Sequence, residues 1–314
     1  MDEENHKSQV TSYKLGKFNL SLLSGGTFGL DGGAMFGVVP KIMWEKLTSS
    51  DSKNRIELGL NCLLIQTEDK NVLVDTGISE GDEKFEKIYK VDKIALDSNL
   101  KKVGLTPEDI DIVINTHLHF DHCGGNTRIV RQNTLPVERK RWVTSFPRAK
   151  YIIQKKEWEN ATHPNERTRA SYLSHTFMPI EEAGLLELVD GDAEILPGIR
   201  VIQTGGHTQG HQVVLLESDN KKALYLADII PTVAHIKIPY VMGYDLYPLE
   251  TIEKKKELLD KVIKEHWLLV FEHDPQLGMG YLEEKEGRIK FKPILISPQS
   301  HRDTKKKTKI GTTD

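Results

Sequence analysis

The chain has 314 residues, 38% hydrophobic and 28% charged, and its 43 Lys and Arg against 46 Asp and Glu leave a net charge of -3. That balance excludes an electrostatic grip on nucleic acid or an anionic membrane, and the length suits one layered α/β domain. Two cysteines, Cys62 and Cys123, cannot build a disulfide framework; with no apolar run near the ~20 residues of a membrane helix and no hydrophobic core in MDEENHKSQVTS, they predict a cytoplasmic protein.

Residues 1–13 read as a flexible polar start. GGTFGLDGGAMFGVVPKIMW (25–44) follows, in which glycines let backbone approach a ligand while Phe28, Met35, Phe36, Val38 and Trp44 offer apolar surface. On residue types alone it also reads as a glycine-rich loop folded over the core. NCLLIQT and NVLVDTG are predicted strands, and residues 84–103 a helical stretch. Thr106 can cap a short helix with Pro107 at its first position. DIVINTH, KYIIQ, IRVIQTGG, HQVVLLES and KALYLAD are further strands, then comes a helix over 249–265 and the strand WLLVFEHD. Residues 299–314 read as a flexible basic tail. Several strands are nearly continuous in hydrophobicity, which suits sheets covered on both faces. The expectation is a single domain over 14–298, two sheets packed face to face with helices outside.

Chemistry clusters where strands end. THLHFDHCGG (116–125) crowds His117, His119, Asp121 and His122 into six positions, and such a cluster is costly to bury unless something compensates its polar groups. VIQTGG runs into His207 and His211, ALYLA into Asp228, and LLVFE into His273. Imidazoles and carboxylates without thiolates suit zinc or a similar divalent metal in an open site. One ion could take His117, His119 and His207, and a second Asp121, His122 and His273. Asp228 would bridge them, with room for a shared water that two dications would acidify. His6, His163, His175, His266 and His301 read as solitary surface or core residues. His211 and His235 fit structural or supporting roles.

With HxHxDH followed by Gly-Gly, His207 in GGHTQGH, Asp228 in YLAD and His273 in EHD, the sequence resembles the metallo-β-lactamase superfamily over roughly residues 16–296. The resemblance implies an αββα sandwich with a dinuclear site. His119 is not the glutamate that redox di-iron relatives carry, and Asp228 stands where true zinc β-lactamases place a cysteine. No separate helical domain of the glyoxalase II kind follows His273. The 25–44 segment resembles quorum-quenching N-acyl homoserine lactonases of the YtnP-like type, relatives of the methyl parathion hydrolases.

What this implies is a hydrolase that opens the lactone ring of N-acyl homoserine lactones, with Asp121 and Asp228 as its catalytic carboxylates. Two divalent ions are expected, zinc first, with iron, cobalt or manganese as alternatives. Phe28, Met35, Phe36 and Val38 would form an acyl wall. Some homoserine lactonases place a tyrosine three residues after the bridging aspartate; Pro231 stands there, so His235 or Tyr240 would substitute, or the metals alone would polarise the carbonyl. Phe120 is expected in the core rather than the pocket. The alternative is an organophosphate triesterase or arylesterase. The sequence leaves oligomeric state open, a homodimer included.

Overall fold

The computed structural model describes residues 10–79, 83–132, 139–276, 278–285 and 287–294. A first sheet begins with β1 (Val10–Leu15), β2 (Phe18–Asp31), β3 (Arg55–Gln66) and β4 (Asn71–Val74), all antiparallel neighbours, with β5 (Asp92–Lys93) against the middle of β2. It continues in parallel through β6 (Ile112–Ile114), then, past the hairpin β7 (Thr127–Gln132) and β8 (Arg139–Thr144), through β9 (Lys150–Gln154) and β10 (Leu186–Val189). The second sheet runs in chain order: β11 (Ala193–Leu196), β12 (Ile199–Gln203), β13 (Gln212–Ser218), β14 (Lys221–Tyr225), β15 (Leu268–Val270), β16 (Met279–Lys285) and β17 (Arg288–Pro293). Only its β14–β15 pair is parallel.

Strand alternation builds four layers. In β3, Leu63 and Ile65 face Val201, Val214 and Tyr225 of the second sheet, forming the central core. Their neighbours Cys62 and Leu64 point the other way, against Leu100, Trp158 and Ile180. Those three come from α4 (Leu96–Lys102), α6 (Lys155–Thr162) and α7 (Met178–Glu182), which follow α1 (Gly32–Phe36), α2 (Lys41–Trp44), α3 (Glu83–Tyr89) and α5 (Phe120–Cys123) in the chain. On the far face, Leu215, Leu224 and Leu269 pack on Leu258, Leu259 and Val262 of α8 (Pro248–Glu265). Strands buried on both faces explain the near-continuous hydrophobic runs. The αββα sandwich is as expected. No helix among the described residues is long and apolar enough to cross a membrane.

Three expectations are corrected. Residues 10–13, expected within a flexible start, belong instead to β1: Val10–Leu15 pairs residue for residue with β2, and the Tyr13 and Tyr281 hydroxyls bond at 2.8 Å. Residues 1–9 and the tail 299–314 lie outside the described residues. The 84–103 stretch is two helices: Lys90 turns left-handed at φ 47°, and β5 then pairs with Gly26 and Thr27. The 25–44 segment is the second half of β2, then α1 and α2, rather than a loop. Gly26 sits there at φ 106°, where a Cβ would stand 2.0 Å from Asp92 O.

Candidate metal centre

The ends of β4, β6, β12, β14 and β15 open onto one edge of the sandwich, and the turns that follow carry the polar side chains. Two residues there hold left-handed backbone without being glycine: Asp75 at φ 53° and Ala227 at φ 44°. Such geometry is paid for by its surroundings, and it aims the strand ends into the site. Gly124 and Gly125 keep the ligand loop tight as expected: a Cβ on either would stand 2.3 Å from backbone of residues 76–79.

All seven predicted metal-binding side chains converge there. His117, His119, His207 and Asp228 form one group with donor atoms within 4.8 Å of one another, and Asp121, His122 and His273 form another. His119 Nδ1 lies 3.0 Å from both His117 Nε2 and His207 Nε2. His122 Nε2 and His273 Nε2 are 3.1 Å apart. Ring nitrogens sharing a tetrahedral zinc at the usual bond length stand roughly 3.3 Å apart, so this spacing accommodates an ion in each group. Asp228 lies between the groups, with Oδ2 3.1 Å from His207 Nε2 and Oδ1 3.2 Å from His273 Nε2. Its Oδ1 is buried without a hydrogen-bond partner, an acceptor left for something else. Asp121 Oδ2 is 3.7 Å from His273 Nε2.

The outer nitrogens fix which atoms point inward. His207 Nδ1 is 2.9 Å from Asp245 Oδ1, and His273 Nδ1 is 2.8 Å from Gly59 O. His122 Nδ1 meets two carboxylates, Asp75 Oδ2 at 3.1 Å and Glu272 Oε2 at 2.8 Å. An imidazole donating its outer N–H in this way presents a bare lone pair inward, which is how a metal is ligated. Electrostatics agree with a site built for positive charge. Burial pushes the His273 imidazole down, but the Asp228 carboxylate overrides it and lifts the pKa to about 9. Burial and His122 hold His117 well below the usual range. Burial raises the Glu272 carboxyl to about 8, against the pull of His122. Asp75, Asp245 and Glu272 were not singled out in the sequence; strand-end position in NVLVDTG and LLVFEHD was the signal available for two of them.

A cavity of about 380 Å³ opens beside Asp121, Asp228, His119, His207 and His273. Leu30, Met35, Phe120 and Met242 make its apolar wall, with Tyr89, Tyr244 and Arg167 also on the lining. Of the expected substrate-binding residues Met35 lines it, and the other five lie outside its lining. Phe28 is buried, its ring 5.5 Å from His273. Phe36 is buried in a stack between Trp44 and His235. Val38 is 92% exposed, on the turn between α1 and α2. His235 spends both ring nitrogens inside the fold, on Thr232 Oγ1 at 2.7 Å and Met35 O at 2.9 Å. Tyr240 packs edge-on against Phe36, 6.0 Å between centroids. For Phe28 and Phe36 the reason is that a strand running into a short helix sends alternate apolar residues inward, and only one side of it faces the cavity. Phe120 departs from expectation in the other sense, since it packs on Phe85 and Tyr89 and also lines the cavity.

The family model described as Metallo-beta-lactamase superfamily matches residues 56–273. An N-acyl homoserine lactonase of Bacillus sp is 31% identical over 243 residues, covering 72% of this chain and 85% of that one. A probable metal-dependent hydrolase from Staphylococcus aureus superposes with a TM-score of 0.80 at 32% identity, over 90% of this chain and all, 100%, of that one. AidC, a dizinc quorum-quenching lactonase solved with its product, shares the fold at TM-score 0.74 and 20% identity, over 94% of this chain and 100% of its own.

Proposed function

We propose that this chain, which belongs to the metallo-beta-lactamase superfamily, is a metal-dependent hydrolase that opens the lactone ring of N-acyl homoserine lactones. The observation that carries the reading is the convergence of seven imidazole and carboxylate residues, five of them lining a cavity that also carries the apolar side chains of Leu30, Met35, Phe120 and Met242. His117, His119 and His207 would hold one ion, Asp121, His122 and His273 the other, with Asp228 reaching both; zinc suits this donor set. Two such ions, when bound, supply Lewis acidity for a water and for an ester carbonyl.

The chain's own residues do the rest. The outer hydrogen bonds from His122, His207 and His273 keep each ring turned inward before substrate arrives, so little reorganisation is left for the reaction. Asp121, at the cavity floor, can carry a proton to the leaving alkoxide through its carboxylate oxygen. Leu30, Met35 and Met242 offer apolar cover to an acyl chain, with up to ~0.8 kcal/mol for each methylene buried. Tyr89 and Tyr244 share the cavity with Asp121.

The test is one metal-replete preparation assayed on acyl homoserine lactones, a paraoxon-type phosphotriester and phenyl acetate. The lactones should give the highest kcat/KM. A phosphotriester turned over faster than every lactone would replace this reading with the triesterase.

A further inference from the structure

Glu157 belongs to none of the groups described so far, yet its side chain is fully buried beneath the metal centre. It sits in the first turn of α6, and each of its oxygens meets a different loop. Oε1 accepts the backbone N–H of Leu118 at 3.0 Å and the Tyr172 hydroxyl at 2.9 Å. Oε2 accepts the Thr208 hydroxyl at 2.6 Å. Leu118 lies between His117 and His119, and Thr208 directly follows His207. The turn bearing His207 also lies flush on the helix, since a Cβ on Gly210 would stand 2.2 Å from Glu157 N.

We infer that Glu157 is a positioning residue that sets the spacing of the three imidazoles His117, His119 and His207. The inference rests on the metal-dependent reading above. The two loops leave different sheets, β6 in the first and β12 in the second. Further back, Gln212 ties the strand ends by donating its N–H to Thr116 O at 3.0 Å and its amide to Asn115 O at 2.8 Å. Nearer the ligands, the Glu157 carboxylate joins the two loops through Leu118 and Thr208.

His119 has the greatest need of this tie. His207 and His273 are locked through their outer nitrogens, whereas among the described residues the outer Nε2 of His119 meets no acceptor. Its ring instead packs on Tyr172, 5.0 Å between centroids, and Tyr172 is held by Glu157. A lone pair that must point within a narrow cone gains little from packing that can slide, so the anchored hydroxyl is what fixes the ring.

The experiment measures metal per chain by elemental analysis, and the rate of chelator-driven release of each ion, on the metal-loaded full chain. The parent should hold two ions. Glu157→Ala should keep the ion at Asp121, His122 and His273 while releasing the other at least tenfold faster, leaving about one per chain after dialysis. Glu157→Gln keeps an acceptor for Leu118 and Tyr172 and an amide that can donate to Thr208, and should restore two. Tyr172→Phe and Thr208→Val each cut one arm and should speed release of one ion at least threefold, which decides the matter if Glu157→Ala does not fold. Parent-like release of both ions in these variants, or equal loss of both, overturns the inference. A parent chain that cannot hold two ions overturns the metal reading itself, and the inference with it.

Discussion

His211 Nε2 accepts the backbone N–H of Asp228 at 3.2 Å. That role places the ring proton on Nδ1, which lies 2.6 Å from the Thr204 hydroxyl. Burial, reinforced by the charge of His207, holds the His211 pKa well below the usual value, so the ring stays neutral as this bond requires. The second histidine of GHTQGH thus steadies the backbone of the residue that stands between both ligand groups.

Removing it should therefore harm turnover more than metal content. His211→Ala leaves the Asp228 N–H buried and unpaired, a cost of about 1–3 kcal/mol, and lets the carboxylate drift. A 10- to 100-fold loss of kcat is expected, with elemental analysis still near two ions. Parent-like kcat would mean that Asp228 needs no such support.

Stripping the metals should make stability fall as pH rises above neutrality. In the metal-free chain His273 titrates at about 9, above its unfolded value near 6.5. Its contribution is fully present below pH 6.5 and is lost as pH rises through about 9. Glu272, raised to about 8, acts with the same sign, because the folded state holds its proton longer than the unfolded chain does. Chelator-treated protein should lose on the order of 3 kcal/mol between pH 6.5 and 9 in denaturant titrations. With ions bound, His273 is a neutral ligand and that loss should vanish; identical curves for the two forms would contradict this.

The acyl wall separates two neighbours in sequence. Met35 lines the cavity, while Phe36 is sandwiched between Trp44 and His235. Met35→Ala should flatten the rise of kcat/KM with acyl chain length and leave a chain-free lactone unaffected. Phe36→Ala should instead cost about 3–5 kcal/mol of folding stability. A flattened chain-length profile from the Phe36 variant, with unchanged stability, would reverse these assignments.

What was legible in the sequence follows from locality. His117, His119, Asp121 and His122 share one loop, so their chemistry is visible without a fold, and the both-faces-buried strands announce themselves by continuous hydrophobicity. Asp75 and Glu272 sit at strand ends, a weak signal by itself, while Glu157 and Asp245 are single acidic residues on other segments that only the packed structure brings behind the ligands. The 25–44 segment misleads because its glycines serve close backbone approach inside a strand, at Gly26 for example, while its aromatic residues point away from the cavity.

Lys255 offers a stability test remote from the ligands. Its buried ammonium donates to His235 O at 2.7 Å, Lys237 O at 3.0 Å and Tyr240 O at 2.7 Å, one acceptor for each hydrogen. Those three carbonyls belong to the segment leading to Met242 and Tyr244 on the cavity wall. Burial pulls the amine down to about 7, although three carbonyl acceptors favour its protonated form. Lys255→Met should cost about 3 kcal/mol or more by orphaning the carbonyls, with two ions retained. Unchanged thermal unfolding would contradict the role.

The most direct test of the central claim follows N-hexanoyl homoserine lactone by proton NMR with metal-replete and chelator-stripped protein side by side. Ring opening to N-hexanoyl homoserine, abolished by stripping and restored by zinc, is the predicted result. Release of hexanoic acid with the ring intact, or ring opening at an unchanged rate after stripping, would contradict it.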